Sequence, residues 1–346
     1  MNYSIDSFPG RELHISGKRF LYFGGTSYLG LQTDPNFQNM FIENVKRYGT
    51  NYGASRKANI KIPIFDQAEK VLTTLSSSEA CTTLSSGFLS GQLVAQHFNT
   101  DYYSCWYAPN THSALLQKES VPFKNLHDLF EQMEQTLANK TPVLFLDAVD
   151  TTEACYPNFS GLRDFNLNHV ILVVDDSHGI GIMGQQGGGA YQILKKMNPK
   201  EIIVCCSLGK GFGIQAGAIF GTQTRIDQLK STDVYGGASP AAPAALATLI
   251  AARPLFKTKL KKLKANLRLF QSRIGDKLHR FQFLEEHPVF SFEDIEFVEF
   301  LEENGVLVTN FKYPNEQGVL MSRIVISAVH TQKDILFLSD LVNSYK

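Results

Sequence analysis

The sequence predicts an α/β protein: a mostly parallel sheet covered by helices on both faces, followed by a smaller α+β portion. Three observations predict it. Between residues 82 and 220, short apolar runs alternate with helical patterns, as strand–helix units in a parallel sheet require. Most of those runs are rich in Val, Ile and aromatics without polar alternation, which suits strands buried on both faces. After Ser239 the alternation stops and helices mix with short strands.

Taken in order, residues 1–60 read as a Gly-punctuated N-terminal arm with one helix, 61–250 as a large domain and 251–346 as a small C-terminal domain. A chain of 346 residues is long enough for two such domains. In the large domain, strands are expected over 103–107, 143–148, 170–175, 202–206 and 216–220. A Pro/Ala-rich helix over 240–252 leads into 257–279, whose apolar positions recur at helical spacing amid Lys and Arg. That helix reads as a connector. Strands at 288–292, 306–309 and 321–327 and helices at 293–303 and 331–345 complete the small domain.

Composition narrows the function. With 33 Lys+Arg against 33 Asp+Glu the formal charge is zero, so no long-range field gathers nucleic acid or an anionic membrane. The opening residues lack a basic stretch followed by an apolar one, and no apolar run reaches the roughly 18 residues of a membrane helix. The chain reads as soluble and cytoplasmic. Its five cysteines are odd in number and form no C-x-x-C pair, which points to buried reduced thiols and no metal.

Two glycine motifs imitate nucleotide loops. Gly179-Ile-Gly181-Ile-Met-Gly184 fits G-x-G-x-x-G, but Asp175 to His178 separate it from its strand and more loop follows it, so no helix N-terminus meets a pyrophosphate. Ser207-Leu208-Gly209-Lys210-Gly211 lacks the Ser/Thr and the upstream glycine of a phosphate loop. What remains is a set of polar groups at successive strand ends, where an open parallel sheet binds its ligand. Ser86-Gly87-Phe88 opens a helix whose free N–H groups suit a phosphate. Asn110 to His112, Asp147 to Thr151, Asp175 to His178 and Ser207 to Lys210 follow at later strands. A lysine between glycines, an acid at a neighbouring strand end, a phosphate-binding helix start and a histidine together suit pyridoxal phosphate. The lysine forms a Schiff base with the aldehyde, Asp175 pairs with the protonated ring nitrogen, and the helix start holds the phosphate.

At these residues the chain resembles the α-oxoamine synthases, a family of fold-type-I pyridoxal phosphate enzymes. Thr26 to Leu31 resembles N-D-Y-L-G-L, and Gly49 to Arg56 the G-x-G-x-G-G-S-R stretch. Ser86-Gly87-Phe88 resembles S-G-F, and Thr111-His112-Ser113 the S-H-A/S segment. Val174 to Gly181 resembles V-D-D-A-H-G-x-G, nearest to the 8-amino-7-oxononanoate synthase branch. Ser207 to Gly213 resembles T-F-G-K-G-F-G, and Arg323 to His330 resembles R-x-x-x-S-A-A-H. The resemblance implies that His112 stacks on the cofactor ring, Asp175 meets its nitrogen, and His178 and Thr151 lie near its phenolic oxygen. Ser86, Gly87, Phe88 and Ser207 would hold the phosphate side, Arg323 the substrate carboxylate, and Lys210 would serve as catalytic base. It implies decarboxylative condensation of a small amino acid with an acyl-CoA or an acyl carrier, in a homodimer with the site at the subunit boundary. An aminotransferase or aldolase on the same fold is the alternative, and a non-catalytic partner subunit a third. The chain departs from the pattern at Thr26, at Asn59-Ile60, at Gly188, and at Gly236-Gly237, where the family's phosphate-binding hydroxyl is lost.

Overall fold

The computed structural model describes residues 3–136, 140–150, 154–313 and 317–346. Its strands in chain order are β1 (Glu12–Ile15), β2 (Lys18–Phe23), β3 (Ala80–Leu84), β4 (Tyr103–Tyr107), β5 (Thr141–Asp147), β6 (Ile171–Asp175), β7 (Glu201–Ser207), β8 (Gly217–Gly221), β9 (Gln282–Phe283), β10 (Val289–Phe292), β11 (Val306–Tyr313) and β12 (Val319–Val325). The chain forms two compact units: Asn39–Arg253, and Met1–Gln38 with Pro254–Lys346.

In the unit of Asn39–Arg253 the strands lie in the order β3-β8-β7-β6-β5-β4. β4 to β7 are mutually parallel, and β8 alone runs against its neighbours β7 and β3. Strands β3 and β8 are buried at every residue, and β5, β6 and β7 along their interiors. On one face Val143, Phe145, Val173, Ile203 and Ile219 cluster with Leu93 and Val94 of the helix Gly87–His97 and with Phe98, which caps its end. The alternate residues Leu144, Leu172, Val204 and Phe220 are buried too, so both faces are covered, as the unbroken apolar runs require. Each such side chain contributes about 1.5–3 kcal/mol by leaving water. The parallel strands end at one edge, and β3 shares their direction because it and β7 both oppose β8.

The other unit holds a second sheet, in the order β1-β2-β11-β12-β10-β9. Ser16 and Gly17, at φ 51° and 77°, turn β1 back onto β2, and β2 then runs parallel to β11. The helix Gln332–Ser344 starts with a capping box between Thr331 and Asp334. Asp334 also accepts from Arg11 Nε and Nη2 at 2.6 and 2.7 Å, which ties the start of β1 to this helix. Buried Asn266, on the helix Arg253–Ile274, donates to the carbonyls of Ser327 and His330 at 3.0 Å each.

The sequence reading did not mark β1, β2 or β9. Lys18–Phe23 alternates in burial only towards its end, and Gln282–Phe283 is too short to show a period. The helix Pro35–Tyr48 is the one expected in the first 60 residues. All five cysteines are free; Cys105 is half-buried and the other four are buried. No helix among the described residues is long and apolar enough to cross a membrane.

Candidate active site

Ser86, Gly87, Phe88, His112, Asp175, His178, Ser207 and Lys210 line one cavity of about 220 Å³, at the edge where the parallel strands end. Each is delivered by a strand end. Ser86 follows β3, His112 follows β4, Asp175 closes β6 with His178 just beyond, and Ser207 closes β7 with Lys210 in the turn of helix Leu208–Gly211. The cavity also takes in Asp147, at the end of β5, and Ser177. Thr151 lies outside the described residues. Arg323 lies in β12 of the other unit, opposite Thr309 on one side and Ser291 on the other.

Hydrogen bonds chain these strand ends together. Ser177 N donates to Asp175 Oδ1 at 2.8 Å, Ser207 N donates to Ser177 Oγ at 2.8 Å, and Gly209 N donates to Ser207 Oγ at 3.2 Å. The acid, the serine and the turn that carries the lysine are thereby fixed to one another. Ser86 has extended backbone angles and its Oγ accepts from Leu89 N at 3.1 Å, a regular N-cap that aims the first turn of Gly87–His97 at the cavity. A Cβ at Gly87 would lie 2.7 Å from Ser207 Cα, so only glycine lets that helix start approach β7. The two glycines around Lys210 differ in what surrounds them. Gly211 is needed because a Cβ there would meet Ile180 O at 2.2 Å, while Gly209 has room for one at ordinary contact distance.

Lys210 Nζ and His178 Nε2 stand 2.7 Å apart. His112 is held twice: its N–H donates to Asp147 Oδ1 at 3.1 Å, and its Nδ1 accepts from Ala114 N at 3.2 Å. Burial lowers the His112 pKa and Lys210 adds to the effect, against the pull of Asp175, so the ring is neutral at pH 7. The two consecutive acids of the V-D-D segment part company. Asp175 faces the cavity, whereas Asp176 is buried and accepts from Tyr156 Oη at 2.9 Å and Ala190 N at 2.8 Å. Burial pushes Asp176 up to about 7, which suits a structural acid. In the second unit, Arg323 Nε is buried without a hydrogen-bond partner among the described residues, and burial lowers the pKa of its guanidinium.

Sequence reasoning noted Asp147 at a strand end without a role and did not single out Ser177. Their use depends on strand register and on a backbone contact from β7, neither of which residue type reveals. The donor set fits pyridoxal phosphate. An amine, a carboxylate and an N-capped helix start converge on one cavity, and glycine at 87 and 211 keeps it from closing.

The aminotransferase class I and II family model matches residues 110–338. Over 96% of this chain and 90% of its own length, an 8-amino-7-oxononanoate synthase of Petrotoga mobilis is 26% identical. Another, of Thermosipho melanesiensis, is 25% identical over the same shares. A serine palmitoyltransferase structure from Sphingomonas wittichii superposes with a TM-score of 0.81 at 17% identity, covering 99% of this chain and 91% of that one. With its strand-end site and a model match over well more than half its length, the chain belongs to the aminotransferase class I and II family.

Proposed function

We propose that this chain is an α-oxoamine synthase, which joins a small amino acid to an acyl thioester with loss of CO₂. The single observation that carries the reading is the cavity in which Lys210, Asp175, His112, His178 and the Ser86 helix start converge. Pyridoxal phosphate, when bound, supplies an aldehyde that captures amines and a cationic ring that draws electrons from the substrate's α-carbon. The residues of this chain do the rest. Ser86, Gly87, Phe88 and Ser207 hold the phosphate with backbone N–H groups and hydroxyls. Asp175 keeps the ring nitrogen protonated: an opposite charge within about 4–6 Å shifts an ionisation by roughly 1–3 units. His112, neutral and anchored at both Nδ1 and its backbone N–H, presents a flat face to the ring.

Lys210 Nζ removes the α-proton, a general-base step that contributes about 10²–10⁴-fold. His178, 2.7 Å from that nitrogen, holds the free amine in place once the substrate has displaced it. Arg323, half-buried and with an Nε that has no hydrogen-bond partner among the described residues, is proposed for the substrate carboxylate, which a guanidinium binds through two parallel hydrogen bonds. Thr151 is proposed to hydrogen-bond the phenolic oxygen. The unit of Asn39–Arg253 would be the cofactor-holding domain. A homodimer in the cytoplasm, with the site completed at the subunit boundary, is part of the same reading. Alanine and a dicarboxylate-derived acyl thioester are the first substrates to try, by likeness to the relatives named 8-amino-7-oxononanoate synthase.

The test is a thiol assay. Protein loaded with pyridoxal phosphate is mixed with glycine, alanine or serine and with acyl-CoA or acyl-carrier thioesters of graded length. One thiol and one CO₂ per amino acid consumed is the expected result. Amino transfer to a 2-oxo acid, or cleavage of a β-hydroxy amino acid, without thiol release would point to the aminotransferase or aldolase alternative.

A further inference from the structure

We propose that Asp147 is a positioning residue of the cofactor site, which carries the proton of a carboxyl pair with Asp175 and fixes His112 from below. The inference rests on the function proposed above and adds a residue to it.

Three observations carry it. Asp147 and Asp175 are the last residues of β5 and β6 and are direct register partners, so their side chains leave the sheet side by side on one face. Both line the same cavity. Asp147 Oδ1 also accepts the His112 backbone N–H at 3.1 Å, so the carboxyl beside the acid meant for the ring nitrogen also holds the loop that carries the stacking imidazole.

Two neighbouring carboxyls in a site withdrawn from water do not ionise together, because each anion disfavours the other. The charged and titratable groups that act on Asp147 are Asp175 on β6, Asp150 beyond β5, and Lys210 beyond β7; His112 reaches it through its backbone N–H. Of these Lys210 and the His112 N–H favour the anion, while Asp175 and Asp150 oppose it. Burial and Asp175 both raise the Asp147 pKa well above the carboxylate range. A cationic ring nitrogen beside Asp175 settles the negative charge on Asp175, which leaves the proton on Asp147. In that form Asp147 keeps one oxygen for His112 N–H and has a hydroxyl to turn toward Asp175, holding its carboxylate in a single orientation.

The test uses two variants and two readouts besides turnover. Asp147→Asn is close in shape to the protonated acid and keeps an oxygen for His112 N–H; Asp147→Ala removes both. Titrating the full chain with pyridoxal phosphate should give a Kd for Asp147→Asn within about threefold of wild type. Asp147→Ala should be weaker by about tenfold or more, the scale of one buried N–H left without an acceptor. Infrared spectra of the holoenzyme should show a protonated-carboxyl band in wild type that Asp147→Asn lacks. If Asp147→Asn binds as weakly as Asp147→Ala, or the wild-type minus Asp147→Asn spectrum shows no such band, the inference is overturned while the function stands. A wild-type chain that binds no pyridoxal phosphate overturns both.

Discussion

Lys210 is useful because of what surrounds it. Its turn is closed by Ser207 Oγ, its Nζ rests 2.7 Å from His178, and its neighbour Gly211 lies against the carbonyl of Ile180. A methyl group at 211 would sit 2.2 Å from that carbonyl oxygen, a backbone atom that cannot yield cheaply. Gly211→Ala should therefore cost about 1–3 kcal/mol, read as a lower urea midpoint, with weakened cofactor binding because the lysine turn shifts. Gly209→Ala, where there is room, should change the midpoint by less than half as much. Equal losses at both positions would contradict this packing account. At this scale the sequence shows Lys210, Asp175, His112 and His178 through residue type and strand-end position. It does not show why position 211 must be glycine, or that Asp147 is the register partner of Asp175, because both depend on which backbone comes alongside.

The helix Gly87–His97 shows how one element serves both stability and binding. Its cap is Ser86, its face against the sheet is Leu93 and Val94, and its first turn opens on the cavity. Ser86→Ala removes an oxygen that accepts from Leu89 N, and should lower stability by about 0.5–2 kcal/mol. Because the same turn is proposed to hold the phosphate, the affinity for pyridoxal phosphate should fall as well, by more than the affinity for phosphate-free pyridoxal. A loss equal for both ligands would mean that this turn does not meet the phosphate. The parallel strands and this helix are legible because continuous apolar runs and an S-G-F opening are local signals. β1 and β2 are not, since the hairpin they form joins the sheet through the pairing of β2 with β11, nearly 300 residues away in sequence. The reversed direction of β8 is likewise hidden, for its sequence is as apolar as those of the strands it runs against.

Acid sensitivity belongs to the molecule as a whole. His330 is buried, its Nδ1 accepts from Ser327 N, its Nε2 donates to Tyr22 O, and its ring stacks on Phe23 at 4.0 Å. Burial lowers its pKa to about 4, against about 6.5 in the unfolded chain. The folded state therefore binds fewer protons between those values, so stability is complete above about pH 6.5 and falls as pH drops towards 4. The 2.5-unit difference corresponds to about 3 kcal/mol. Asp334 works in a lower window. Burial alone would raise its pKa, but Arg11 and Thr331 draw it down to about 2, so its contribution persists until the pH falls below the ordinary carboxylate value. Asp176, held at about 7, binds its proton more readily in the folded state and opposes this over the same window, so the test is a difference: from pH 7 to pH 4 the unfolding free energy should change less favourably in the wild-type chain than in His330→Asn, by about 3 kcal/mol. Parallel slopes would show that some other group controls acid unfolding.

The central claim is that pyridoxal phosphate sits in the strand-end cavity, bonded through its aldehyde carbon to Lys210 Nζ. Borohydride reduction of the cofactor-loaded chain, followed by peptide mass mapping, tests it most directly. The account predicts a pyridoxyl-phosphate group on Lys210 and no labelled peptide from Lys210→Ala. Label on another lysine, or none on a chain shown to be folded, would contradict it.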